Sequence, residues 1–367
     1  MAPTPVRMQE SVVPRPQESV SPAAGTRELD EADMALVDAL QTSPRASWSR
    51  IGAVLGIDAT TAARRWDRLH SAGLAWSTAY ETWGPPGGAE ELCVAFADVS
   101  VAPGGLAAAA RAACADPRVA SVERTTGSTA PGTDGTLFLT LFCYGTAALT
   151  RFADGPLAEL PGVRDIRFAV RLRSYREGAD WKVHALDRGQ RSRLAAAEPG
   201  STPPAHHDEA GRALLRALAA DARRPYSELA RDTGISEATV RRRLTRMLDS
   251  GQVRIRCDVS HLAAGRPVIS TYRLTVPPAE LDSAGHLAAQ LSGVRLCTAV
   301  TGETNLLVST WARSLGEAAD FETRLGKRLP NARVRCRDIT LLTPKRMGRL
   351  LDDRGRAQGH IPLGLRP

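Results

Sequence analysis

Apolar residues fall at helical spacing in two distant parts of the chain, and the two parts match each other. From Ser227 to Gly251 the pattern predicts two short helices joined by a turn. Ser227 is placed to cap the first, which carries the apolar pair Leu229 and Ala230. Thr233-Gly234-Ile235 makes the turn, where a glycine tolerates a positive φ. Ser236 caps the second helix and Gly251 closes it. In that helix Val240, Leu244, Met247 and Leu248 mark a buried face. Thr239, Arg242, Arg243 and Arg246 repeat the same spacing about 135° around the axis, at roughly 100° per residue.

Ser49 to Gly73 aligns with this stretch without a gap, Ser49 standing against Ser227 and Gly73 against Gly251. Between these ends Gly56, Ile57, Thr61, Arg64, Arg65 and Arg68 recur as Gly234, Ile235, Thr239, Arg242, Arg243 and Arg246. Upstream, Leu36 and Leu40 match Leu214 and Leu218 in the same register, so a further amphipathic helix precedes each copy. A repeat of this length implies internal duplication. The copies differ where Trp66 and Ala63 stand for Leu244 and Arg241, which leaves the first basic stripe thinner.

After each copy the periodicity changes from helical to alternating. Leu92–Val101 predicts a strand, Pro103–Ala115 a helix, Arg118–Thr126 a strand and Leu137–Tyr144 a central strand. Thr146–Leu160 predicts a helix and Val163–Arg173 a strand, in which Ile166, Phe168, Val170 and Leu172 alternate with charged or small residues. The second half repeats the order: Pro267–Val276, Pro278–Leu291, Val294–Thr301, Asn305–Trp311, Leu315–Leu329 and Val334–Leu342. The fold class is therefore α+β, two helix-turn-helix units each followed by a β-α-β-β-α-β ferredoxin-like domain. The expected boundaries are a disordered tail at 1–26, helix-turn-helix domains at 27–76 and 208–256, ferredoxin-like domains at 90–182 and 266–351, and a linker at 188–207.

Composition narrows the function. A net charge of +8 over 367 residues favours a polyanionic partner, and all but three of the basic side chains are arginines. Four arginines on one short helix, with only Glu237 and Asp249 as counter-charge, suit phosphates and guanine edges in a major groove. The six cysteines form no C-x-x-C pair and read as small buried residues of a reducing cytoplasm. No apolar run reaches membrane-spanning length, so no membrane partner is expected and the localisation expected is cytoplasmic. No phosphate-binding loop, zinc-protease signature or nucleophile triad is present, so no cofactor, metal or catalytic residue is assigned.

In order and in motif the chain resembles the Lrp/AsnC family of transcriptional regulators, twice over. The resemblance rests on Ser227-Glu228-Leu229-Ala230, Gly234-Ile235-Ser236, Thr239 to Leu244, Gly251, the Val300-Thr301-Gly302-Glu303 turn and the strand after it. It implies a non-enzymatic, sequence-specific regulator of double-stranded DNA, and a homo-oligomer with a dimer of chains as the first expectation. Candidate DNA contacts are Thr60, Thr61, Arg64, Arg65 and Arg68 in the first copy, and Ser236, Glu237, Thr239, Arg241, Arg242 and Arg246 in the second. The resemblance also implies that Arg65 and Arg243 partly support the fold. An effector, an amino acid or related metabolite, would lie at Thr126, Gly127 and Ser128 and at Thr301, Gly302, Glu303, Thr304 and Asn305. Two alternatives accompany this reading: an architectural DNA-binding protein, and an enzyme similar to sirohaem decarboxylases, which share the layout. For the enzyme, His70 and His261 are the histidines worth testing.

Overall fold

The computed structural model describes residues 29–82, 92–127, 135–195, 208–251 and 253–364. The expected disordered tail and residues 196–207 of the expected linker lie outside them.

The first unit contains α1 (Glu31–Thr42), α2 (Trp48–Leu55) and α3 (Ala59–Ser71). Asp30 and Asp33 form a reciprocal capping box that starts α1. Gly56, at φ +70°, ends α2, and the Asp58 side chain caps α3. Leu36, Leu40, Ile51, Ala62, Trp66 and Leu69 meet in one core. The second unit repeats this with α7 (Glu209–Ala220), α8 (Tyr226–Thr233) and α9 (Glu237–Asp249), and Gly234 is again at φ +70°. There Leu214, Leu218, Leu229, Val240, Leu244 and Met247 pack together, so Leu244 fills the place of Trp66. Ser227 is not the helix cap expected from the sequence, and its counterpart Ser49 caps no helix either. Ser47 caps α2, while α8 begins after Pro225, which has no side-chain bond to offer and puts Ser227 inside the first turn.

Each unit continues into a strand, β1 (Ala75–Glu81) or β6 (Val253–Val259), and the two pair antiparallel with each other. Thr78 faces Arg256, the residue that takes its place in the repeat, so the ribbon lies on a pseudo-two-fold axis. Each strand straddles both units: Ala75 of β1 packs in the first core and Ala79 in the second, while Val253 of β6 packs in the second core and Cys257 and Val259 in the first. Arginines repeat the symmetry. Arg45 donates to the carbonyls of Ala222 and Arg224, and Arg223 to those of Pro44 and Ala46. Arg45 lies over the Tyr226 ring at 4.5 Å and Arg223 over the equivalent Trp48 ring at 4.0 Å.

The first ferredoxin-like domain comprises β2 (Leu92–Val101), α4 (Leu106–Ala115), β3 (Val119–Thr125), β4 (Gly135–Tyr144), α5 (Thr146–Phe152) and β5 (Val163–Arg176). After α5 the chain makes one irregular turn containing Pro156, which cuts short the longer helix expected there. Its sheet order is β5-β2-β4-β3. The second comprises β7 (Val268–Thr275), α10 (Leu281–Ala289), β8 (Val294–Val300), β9 (Leu306–Ala312), α11 (Leu315–Arg328) and β10 (Arg333–Arg346), in the order β10-β7-β9-β8. β5 also pairs with β8, and β10 with β3, so eight strands close into a ring. The helices cover its outside over two cores. Inside lie Leu92, Val94, Phe96, Phe138, Val300 and Leu307.

This closure bears on the oligomer. Exposed sheet edges lead one to expect the two ferredoxin-like domains to pair through their strands, within one chain or between chains; the pairing is made within one chain, so any dimer of chains must be built on another surface. The linker is also shorter than its composition suggests. Its first part is α6 (Arg188–Leu194), started by an Asp187–Gln190 capping box and tied to the first helix-turn-helix unit by Arg191 to Asp38 and Arg50 to the Arg193 carbonyl. A short hairpin, β11 (Arg349–Leu351) and β12 (Ala357–His360), extends β10 beyond the second domain.

The packing yields two tests of stability. Arg45→Met and Arg223→Met should each cost about 2 kcal/mol, the scale of a charged hydrogen bond, and the costs should be equal because the contacts are equivalent. Urea unfolding of each variant measures this, and a cost confined to one arginine would mean that the interface is not symmetric in energy. Acid should also destabilise the fold through two histidines. Burial, with Arg346 and Arg295 nearby, holds His261 down to about 2, and burial with Arg349 and Lys345 holds His360 down to about 4. Unfolded histidine takes its proton near 6.5. The unfolded state therefore gains protons first, and stability is lost as pH falls below about 6.5, by about 2 kcal/mol per histidine at pH 5. His261→Asn should flatten the fall in Tm between pH 7 and 5.

Candidate nucleic-acid interface

The outer face of α9 is available because its other side is fixed. Ser236 Oγ accepts from the Thr239 backbone N–H at 3.3 Å, and Val240, Leu244 and Met247 are buried beneath. Arg241, Arg242 and Arg246 are exposed, as are Ser236 and Glu237, while Thr239 is half-buried. Arg241 makes a 3.4 Å ion pair with Glu237 and stands 4.3 Å from the Tyr226 ring centre. Arg242 and Arg246 carry no ion pair among the described residues. Arg243 is committed: it bonds at 2.5 Å to Asp208, the cap of α7.

The first copy spends more of its charge on itself. Arg65 bonds to Asp30 and Asp33 at 2.8 Å each, in the same role as Arg243 with Asp208. Arg68 is drawn to Asp33 at 2.5 Å, and Asp33 is itself buried. The position equivalent to Asp33 is Gly211, so Arg246 has no such tether. Of the first stripe only Arg64 stays exposed and without an ion pair among the described residues, flanked by exposed Thr60 and Thr61. The structure thus places both stripes on outer faces and separates exposed arginines without an ion pair among the described residues from those that fasten a helix cap. Tyr226 and Trp48, which seat the arginines between the units, were missed; their only sequence signal is that they occupy the same place in the two copies.

The turns expected to hold an effector lie where the two sheets join. Thr126 donates its N–H to the Ile339 carbonyl and accepts the Ile339 N–H on Oγ1, both at 2.9 Å. Thr301 makes the same pair of bonds with Val170, also at 2.9 Å. Asn305 gives both ends of its amide to the Val276 backbone, at 2.8 and 2.7 Å. Gly127 N–H donates to Thr125 Oγ1, and Gly302 takes φ +111° beside exposed Glu303 and half-buried Thr304. Ser128 lies outside the described residues. Much of the polar capacity at these turns is therefore used in holding the sheets together.

Comparison with known proteins agrees with this geometry. A family model described as the AsnC-type helix-turn-helix domain matches residues 29–70 and 208–248. An uncharacterized HTH-type transcriptional regulator of Pyrococcus furiosus is 31% identical over 122 residues, spanning 33% of this chain and 82% of that protein. The HTH-type transcriptional regulator LrpA of Pyrococcus horikoshii is 27% identical over 124 residues, 33% of this chain and 86% of LrpA. Among solved structures, the siroheme decarboxylase NirDL superposes with a TM-score of 0.55 at 16% identity, covering 87% of this chain and 93% of that one. That likeness carries the fold, including its tandem layout. Fold and readers define a helix-turn-helix protein with ferredoxin-like domains. The chain belongs to the Lrp/AsnC family.

Arg242→Ala and Arg246→Ala should each weaken DNA binding by roughly 1–3 kcal/mol if they reach a base, and more than Arg64→Ala does. Arg243→Ala and Arg65→Ala should lower Tm as well as affinity, because each breaks a bond to a helix cap. Gel-shift titrations run beside thermal melts measure both, and equal losses at Arg64 and Arg242 would refute the ranking.

Proposed function

We propose that this protein is a sequence-specific DNA-binding transcriptional regulator in which two unequal readers act as a covalent pseudo-dimer. The observation that carries the reading is the outer face of α9, where exposed Arg242 and Arg246 are free of ion pairs among the described residues on a capped, well-backed helix. The fixed ribbon of β1 and β6 supports it, since a rigid pair of readers suits two half-sites on one duplex. The weaker first reader contributes phosphate contacts more than base contacts. A small-molecule response at the exposed face of the Thr301–Asn305 turn is the second layer of the proposal, with Glu303 as its charged group.

Selection of bound sequences from random DNA, followed by footprinting, tests the regulator. A discrete, asymmetric site is expected, better specified under the second reader. Uniform coverage would instead favour an architectural protein. Affinity should fall steeply with salt, and removing one phosphate contact should reduce the log–log slope by about 1. Sirohaem chemistry finds less support. That chemistry calls for a haem-sized pocket with histidine or arginine for the propionates; the central cavity carries arginines, but none of His70, His184, His261, His286 and His360 lines it. Purified protein mixed with sirohaem should show no new visible absorbance band.

A further inference from the structure

One cavity has no role in DNA reading. It lies between the β1/β6 ribbon and the interior of the strand ring, with about 130 Å³ of free space. One wall is apolar, formed by Val94, Phe96, Phe138 and Phe142 from β2 and β4. The opposite wall carries Arg256, Arg295 and Arg346 from β6, β8 and β10, together with Trp311. Such a division is what an amphipathic ligand meets: a greasy surface for its body and fixed donors for its head.

Two of these arginines are short of partners. Arg256 holds both oxygens of Asp258, at 2.6 Å each, and leaves Arg295 to share one of them at 2.7 Å. Arg346 is only 5% exposed, and its one hydrogen bond among the described residues runs from Nη2 to Thr343 Oγ1 at 3.3 Å. Its Nη1 is buried and has no partner among the described residues. Glu123, the opposite charge acting on it most strongly, makes no ion pair with it among the described residues and accepts instead from Thr340 Oγ1 at 2.9 Å. Arg295 and Arg346 also stack on Trp311, at 3.8 and 4.8 Å from its ring centre. A buried guanidinium with an unmet donor is costly to keep unless an anion completes it. A carboxylate is the natural complement, since its two oxygens match the planar fork.

Size limits the class. A cavity of roughly 150 Å³ accommodates benzene, whereas drug-sized ligands occupy about 300 Å³ or more. We propose that this cavity is a binding site for a compact organic monocarboxylate of about one ring, with its carboxylate on Arg346 and its apolar body against Phe138 and its neighbours. The site is distinct from the turns at Thr126 and Thr301. It does not depend on the DNA-binding reading, because binding is measured without DNA.

Benzoate and cyclohexanecarboxylate are the probes, titrated into the full chain by calorimetry and thermal shift, with benzyl alcohol and sodium chloride at matched ionic strength as controls. A saturable rise in Tm is expected with either acid, following ligand concentration beyond Kd, and none with the controls. Arg346→Met should weaken binding at least tenfold. Val94→Phe fills the cavity from the apolar side and leaves every arginine in place; it should abolish the shift in a protein that still melts cooperatively, and it decides the matter if the Arg346 variant does not fold. Glu303→Ala should leave acid binding unchanged. The proposal is overturned if neither acid gives a saturable shift, if benzyl alcohol binds as well as benzoate, if Val94→Phe retains full affinity, or if only Glu303→Ala loses it.

Discussion

A four-stranded ferredoxin-like sheet leaves two edges unpaired, and an unpaired edge is a standing invitation to another strand. This molecule meets that constraint within one chain. β5 and β10 are each 14 residues long, enough to pair with their own sheet along the first part and with the other sheet along the rest. β5 turns from β2 to β8 between Val170 and Arg171, and β10 turns from β7 to β3 around Thr340. Thr301 and Thr126 fasten those bends with paired backbone and hydroxyl bonds. Ring, interior and cavity all depend on the two crossings.

The same symmetry governs the readers. Each strand of the β1/β6 ribbon packs over the other unit's first helix, and reciprocal arginines bond across the axis. Neither unit is then complete without its partner, since Ala79 belongs to one core and Cys257 to the other. A tandem chain keeps that partner at hand without the concentration dependence of a dimer.

Duplication also permits the halves to differ. Asp33 clamps Arg68 in the first reader, while Gly211 leaves Arg246 untethered in the second. Inside the ring, the first sheet offers Val94, Phe96 and Phe138, and the second offers Arg295, Arg346 and Trp311. Arg273 bridges the two by bonding to Asp98 at 2.5 Å and to Asp338. An amphipathic interior of this kind arises only when the two facing sheets are free to diverge.

The sequence by itself determined the local elements. Helical spacing placed α3 and α9 with their buried and basic faces, the glycines at 56 and 234 marked turns that need positive φ, and alternation placed the strands of both ferredoxin-like domains. The constant offset between the two copies revealed the duplication before any contact was known. Periodicity states which face of an element is buried, and says nothing of what covers it. For that reason Ala75–Glu81 and Val253–Val259 went unassigned: each strand pairs only with the other, half a chain away. α6, read as linker, is held by contacts to α1 and α2 far upstream. That Arg65 and Arg243 act as fasteners came only from the family resemblance, and the tethering of Arg68 was hidden altogether, because Arg68 and Arg246 look alike until Asp33 is brought beside one of them. The ring closure and the unmet donor of Arg346 belong to tertiary structure alone, since they are made by residues that the chain separates and only the fold brings together.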